Sequence, residues 1–111
     1  MEGPGLPMGV SDHCVVWMNQ TKILLMGGYT ESEGYSENTL IYDFKIHQWI
    51  KGPSMKEKRI LFGCGTFYSI FHAKFMIIAI GGYNSDYLNT VELLDANAEN
   101  WFEGRYIRLV L

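Results

Sequence analysis

The sequence predicts an all-β protein made of one unit repeated twice. Three observations carry that prediction. First, a lysine, a short apolar run, a Gly-Gly pair and a tyrosine occur as Lys22 to Tyr29 and again as Lys74 to Tyr83. The two pairs, Gly27-Gly28 and Gly81-Gly82, stand 81 − 27 = 54 residues apart. Second, landmarks follow in the same order: Asn38-Thr39 and Asn89-Thr90, Asp43 and Asp95, Trp49 and Trp101, with six residues from Asp to Trp in both copies. A period near fifty is the mark of a repeat architecture. Third, aromatic residues reach 14%, charged residues only 19%, and glycine numbers 12, a balance that suits sheets and tight turns over long helices.

Composition also narrows function. A net charge of −3 without a basic stripe argues against nucleic acid as a partner. The longest apolar run, Phe75 to Ile80, is far too short to span a membrane, and Met1-Glu2-Gly3-Pro4 does not read as a secretory signal. Two cysteines make no disulfide framework, so Cys14 and Cys64, in similar places of the two repeats, are expected as buried free thiols of a cytoplasmic protein.

In chain order, Gly3-Pro4-Gly5-Leu6-Pro7 is a rigid, non-helical opening. Asp12 to Met18 reads as a first strand, Asn19 to Thr21 as a turn, and Ile23 to Met26 as a strand with both faces covered. Gly27-Gly28 ends that strand, where positive φ or a close backbone approach is needed; no phosphate-loop pattern surrounds it. Tyr29 to Glu37 has loop composition and is acidic through Glu31, Glu33 and Glu37. Asn38 to Phe44 is the third strand, Gln48 to Ile50 the fourth, and Gly52-Pro53-Ser54 closes the unit. The second unit repeats this with strands at Ile60 to Tyr68, Phe75 to Ile80, Asn89 to Leu94 and Trp101-Phe102. Its differences in length fall between strands, where a repeat tolerates them. The expected division is an opening segment at 1–8, repeats at 9–54 and 55–104, and a divergent tail at 105–111.

These residues resemble the kelch repeat. Gly27, Gly28, Tyr42 and Trp49 supply its pattern in the first copy; Gly81, Gly82 and Trp101 match in the second, where Leu94 replaces the tyrosine. Arg59 fits the basic residue that often opens such a unit. The resemblance implies two four-stranded antiparallel blades of a kelch-type β-propeller. Its glycines would relieve crowding and its tyrosine and tryptophan would fill the space between blades, so Trp49→Ala is expected to cost roughly 3–5 kcal/mol if that site is buried. Propellers close with about four to eight blades. Two cannot make a ring, so the chain is expected to be a piece of a longer kelch protein, or to gain further blades by self-association.

No catalytic constellation emerges. His13, His47 and His72 lack metal-ligand spacing, and no nucleophile elbow occurs. A galactose-oxidase-like enzyme shares the propeller but needs histidines, tyrosines and a cysteine cross-link from several blades, so neither an enzyme nor a cofactor is expected. The resemblance implies a protein-interaction module: substrate recognition for a cullin-RING ubiquitin ligase within a longer protein, or, alternatively, actin binding. The loops expected at one end of the blades offer Tyr29, Glu31, Glu33, Tyr35, Lys56, Lys58, Arg59, Asn84, Asp86 and Tyr87 as candidate contacts for a protein partner. An acidic loop beside a basic one suits oriented recognition.

Overall fold

Short apolar strands separated by tight turns form two separate four-stranded antiparallel sheets, and the computed structural model describes them over residues 11–97 and 99–104. Among these residues there is no helix. The opening segment, residues 1–8, and the tail, residues 105–111, lie outside the described residues.

The first sheet has strand order β1 (Cys14–Asn19), β2 (Lys22–Met26), β5 (Thr39–Asp43) and β6 (Gln48–Lys51). Between β2 and β5 the chain makes a small ribbon, β3 (Tyr29–Thr30) paired with β4 (Gly34–Tyr35). The loop composition of this stretch hides that pairing, which is only two residues long on each side. The second sheet runs β7 (Gly63–Ser69), β8 (Lys74–Ile80), β9 (Val91–Asp95) and β10 (Phe102–Glu103). Each sheet is thus a meander with neighbours in sequence paired in space, which is the blade topology expected of a propeller. The ring itself is open.

The blades meet face to face. Because side chains alternate along a strand, Val16, Met18, Leu24 and Met26 of the first blade all point to one side. They pack with Ile77, Ala79, Leu94 and Trp101 of the second, and Met55 of the connecting segment joins them. This is the protein's hydrophobic core. Trp101 is 3% exposed and its indole Nε1–H donates to the Pro53 carbonyl at 2.9 Å. The motif tryptophan therefore fills the gap between blades in the second repeat. Its first-repeat counterpart, Trp49, lies on the face turned away from the second blade, against Tyr42 at 5.2 Å between ring centroids, and is only half-buried. The large packing penalty expected of Trp49 accordingly belongs to Trp101.

The glycine pairs behave as their chemistry demands. Gly27 and Gly82 both have positive φ, 66° and 102°, and a Cβ on either would lie 2.6 Å from a carbonyl oxygen, that of Arg59 or of Ile60. These are the places where the segment linking the blades crosses the end of each second strand. Gly28 N–H donates to the Arg59 carbonyl at 2.7 Å, fastening that crossing.

One detail of the repeat alignment shifts. Gly27 N–H donates to Asn38 O and Gly81 N–H to Thr90 O, both at 3.0 Å. Asn38 therefore corresponds to Thr90, one residue later than the Asn-Thr pairing of the sequences suggests. By the same register β5 matches β9 residue for residue, Tyr42 stands opposite Leu94, and Glu92 takes the place of Leu40. At the far end of the second sheet, Lys74 Nζ bonds Asp95 Oδ2 at 2.8 Å. This hydrogen bond is the first cause holding the Asp95 carboxyl below its ordinary range, assisted by the backbone N–H of Asn97.

Candidate functional site: a tyrosine row across both blades

The Gly-Gly turns place one tyrosine of each repeat at the same end of the molecule. Tyr29 follows Gly28 and exchanges two backbone hydrogen bonds with Ser11, at 3.0 and 2.8 Å. Tyr83 follows Gly82 and does the same with Ile60, at 3.0 Å in both directions. The loops that follow are closed in the same way, by Ser36 N–H to Gly28 O and Leu88 N–H to Gly82 O, each 2.8 Å. Equivalent backbone wiring thus presents two loops side by side.

From these loops four aromatic rings line up. Tyr29 meets Tyr35 edge to face at 5.7 Å, Tyr35 meets Tyr83 at 6.0 Å, and Tyr83 meets Tyr87 at 5.5 Å. Such edge-to-face contacts lie in the favourable range for aromatic pairs. The row begins in the first blade and ends in the second. Tyr29 is 41% exposed and Tyr87 87% exposed, while Tyr35 and Tyr83 are half-buried between them. Beside it, Leu61, Gly82, Tyr83, Tyr87 and Leu88 line an apolar groove of about 460 Å³.

Charge is set around the row. Glu31 and Glu33 sit exposed at the tip of the β3–β4 ribbon, where Thr30 Oγ1 accepts the Glu33 N–H at 3.1 Å. Asp86 is exposed at the other end and accepts the Tyr87 N–H at 2.8 Å. Lys56 and Lys58 are exposed on the connecting segment, and Asn84 Nδ2 donates to the Lys58 carbonyl at 2.7 Å, tying that segment to the second loop. Nine of the ten residues expected at this end are therefore at or near its surface, with Asn84 serving as a tie within it.

Arg59 is the exception and a correction. It is fully buried, at 0% exposure, and faces Glu92 at 1%. Its Nε and Nη2 donate to Glu92 Oε2 at 3.2 and 3.1 Å, Nη1 to the carbonyls of Gly81 and Thr90 at 2.7 and 3.0 Å, and Nη2 to Thr90 Oγ1 at 2.9 Å. Glu92 also accepts the backbone N–H of Lys56 and, at 3.1 Å, that of Glu57. A guanidinium whose every donor group meets an acceptor is doing a structural job: it holds the connecting segment against the second Gly-Gly turn. The sequence carried a signal for this, since Glu92 stands between the apolar residues Val91 and Leu93 of a strand and a buried carboxylate needs a partner. Tyr83, which is not among the expected contacts, follows Gly82 as Tyr29 follows Gly28 and is its twin in the second repeat.

The remaining chemistry is sparse. Among the described residues no group of three or more His, Cys, Asp and Glu side chains is placed to hold a metal ion, and no helix is long and apolar enough to cross a membrane. A larger groove, about 760 Å³, opens at the opposite end beside Trp17, Met18, Thr66 and Phe75, and its lining includes no charged side chain.

A sequence profile of the kelch motif matches residues 13–56. Residues 13–56 are thus a kelch motif, and the two sheets are kelch-type blades. The chain is 30% identical over 91 residues to an F-box/kelch-repeat protein of Arabidopsis thaliana, covering 79% of this chain and 21% of that protein. It is 29% identical over 100 residues to Kelch-like protein 36 of Bos taurus, covering 86% of this chain and 15% of that one. A kelch repeat-containing protein of Caenorhabditis elegans is 27% identical over 85 residues, 76% of this chain and 14% of the other. The chain thus spans about a fifth or less of the length of the curated relatives it matches. These similarities reach past the first kelch repeat into the second, whose sheet has the same strand order and the same Gly-Gly crossing.

Proposed function

We propose that this pair of kelch blades recognises a protein partner through the row Tyr29, Tyr35, Tyr83 and Tyr87. The single observation that carries this reading is the continuity of the row across two blades. Kelch repeats typically serve as protein-interaction modules, and tyrosine supplies large contact area at small conformational cost, which makes it a frequent interface anchor. Carboxylates flank both ends, so an extended segment bearing arginine is the partner chemistry the row suits best: its guanidinium can lie on a tyrosine face while Glu31, Glu33 or Asp86 takes its charge. Lys56 and Lys58 repel a uniformly basic segment and so favour one with a single or isolated cation. Within a longer protein, the same surface would select substrates for a cullin-RING ubiquitin ligase. The names of two similar proteins, one F-box/kelch-repeat and one Kelch-like, are in keeping with that role.

The test is a displayed peptide library selected on the chain. Arginine-containing winners are expected, and Tyr87→Ala should weaken them by about tenfold, the cost of a moderate hot spot, with an unchanged melting curve. Winners that bind Tyr87→Ala and Tyr35→Ala as well as the parent would overturn the assignment. Co-purification of a cullin with the longer protein tests the ligase role separately.

A further inference from the structure

Cys14 and Cys64 are joined as a disulfide, contrary to the free thiols expected from the sequence. The reason lies in the register. Cys14 pairs with Met26, the last residue of β2, whereas the residue paired with Ile80, the last of β8, is Gly63. Cys64 is therefore one position beyond the true counterpart of Cys14. Two cysteines at equivalent positions would point the same way around a ring and never meet. A one-residue offset turns Cys64 to the opposite face of its strand, and so toward Cys14 across the gap between blades. Their Cα atoms are 6.3 Å apart, inside the range a disulfide spans.

We infer that this pair is a reversible redox staple between neighbouring blades. Each sheet has a hydrogen-bond ladder of its own, broken in the first only by a bulge between Trp17 and Asn19, and the blades are also held by Thr66 Oγ1 to Trp17 O at 3.0 Å, Leu61 N–H to Asp12 O at 3.3 Å, and the apolar core. The protein therefore has a folded dithiol form as well as a folded disulfide form. Both cysteines are half-buried, which leaves the sulfurs within reach of a small thiol or disulfide. Closure proceeds by exchange with a low-molecular-weight disulfide such as oxidised glutathione. One cysteine thiolate attacks it, forming a mixed disulfide and releasing one small thiol; the other cysteine then attacks the protein sulfur and releases the second. One protein S–S bond forms, one small-molecule S–S bond breaks, and two electrons and two protons pass to the released thiols. Reduced glutathione reverses the sequence. What changes is the tether between β1 and β7, the strands that lead back to Ser11 and Ile60 beneath the tyrosine row.

The experiment is to reduce the chain fully, remove the reductant, add oxidised glutathione, and follow it by non-reducing peptide mapping and thermal unfolding. The expected result is one cross-linked peptide containing Cys14 and Cys64. The unfolding midpoint should rise by several degrees, because the tether restricts the unfolded chain, and dithiothreitol should restore both mass and midpoint. Cys14→Ser/Cys64→Ser should melt like the reduced protein and ignore glutathione; if serine is not tolerated, Cys14→Val/Cys64→Ala serves as the same control. Persistent glutathione adducts without a cross-link, cross-links between molecules, an unchanged midpoint, or failure of dithiothreitol to reopen the bond would each overturn the inference.

Discussion

Trp101→Ala should lower the stability of the chain by roughly 3–5 kcal/mol, the range for truncating a buried tryptophan. Two losses combine. The indole leaves a cavity among Met18, Leu24, Met26, Ile77 and Leu94, on the plane where the blades meet. It also leaves the Pro53 carbonyl without the Nε1–H that reaches it at 2.9 Å. Trp101→Phe separates the two: it keeps most of the apolar contact and should cost about 1 kcal/mol for the hydrogen bond, plus a smaller packing loss. Trp49→Ala should cost less than Trp101→Ala, since Trp49 is half-buried on the outward face. Urea denaturation of the three variants orders them, and a Trp49 effect equal to that of Trp101 would contradict the face assignment.

Arg59→Met should be comparably damaging, about 3–5 kcal/mol, because removing one member of a buried ion pair leaves the other charged and unsatisfied. Glu92 is 1% exposed and has no other cation as near as 3.1 Å among the described residues. The register places Leu40 where Glu92 stands, so the first blade builds the same position from an apolar residue. The double variant Arg59→Met/Glu92→Leu should therefore recover most of the loss, the residual cost reflecting the N–H groups of Lys56 and Glu57 that Glu92 accepts. A double-mutant cycle in urea measures the coupling. Additive single effects would mean that the pair does not hold the connecting segment.

These two residues show where sequence reasoning succeeds and where it stops. Gly27, Gly82 and Trp101 were legible because each answers a local or repeating demand: a positive φ, a close carbonyl, a ring between sheets; Tyr42, expected between blades, is instead buried against Trp49 on the outward face. The repeat carried the strand count of both sheets, and the kelch resemblance implied their antiparallel blade arrangement. Arg59 was misplaced among the rim residues because it sits in a polar segment, Met55 to Arg59, whose neighbours Lys56 and Lys58 are exposed. Only the fold brings Glu92 to it from 33 residues away. The cysteines were misread for a similar reason. Similar places in two repeats looked like equivalent places, and the offset of one residue that turns them toward each other depends on strand register, which spacing between landmarks does not resolve.

The candidate surface was half legible. Tyr29, Tyr35 and Tyr87 were visible as loop aromatics, but a row exists only because Tyr83 bridges the blades, and Tyr83 was treated as a landmark of the repeat. Its contacts with Tyr35 at 6.0 Å and Tyr87 at 5.5 Å are tertiary facts.

All of this depends on one arrangement: two kelch blades packed through a shared apolar face. Methyl–methyl nuclear Overhauser spectroscopy on the isotope-labelled chain tests it most directly. Cross-peaks are predicted between Met18, Leu24 or Met26 of the first blade and Ile77, Ala79 or Leu94 of the second. Cross-peaks confined within each sheet, with none between these two sets, would contradict it.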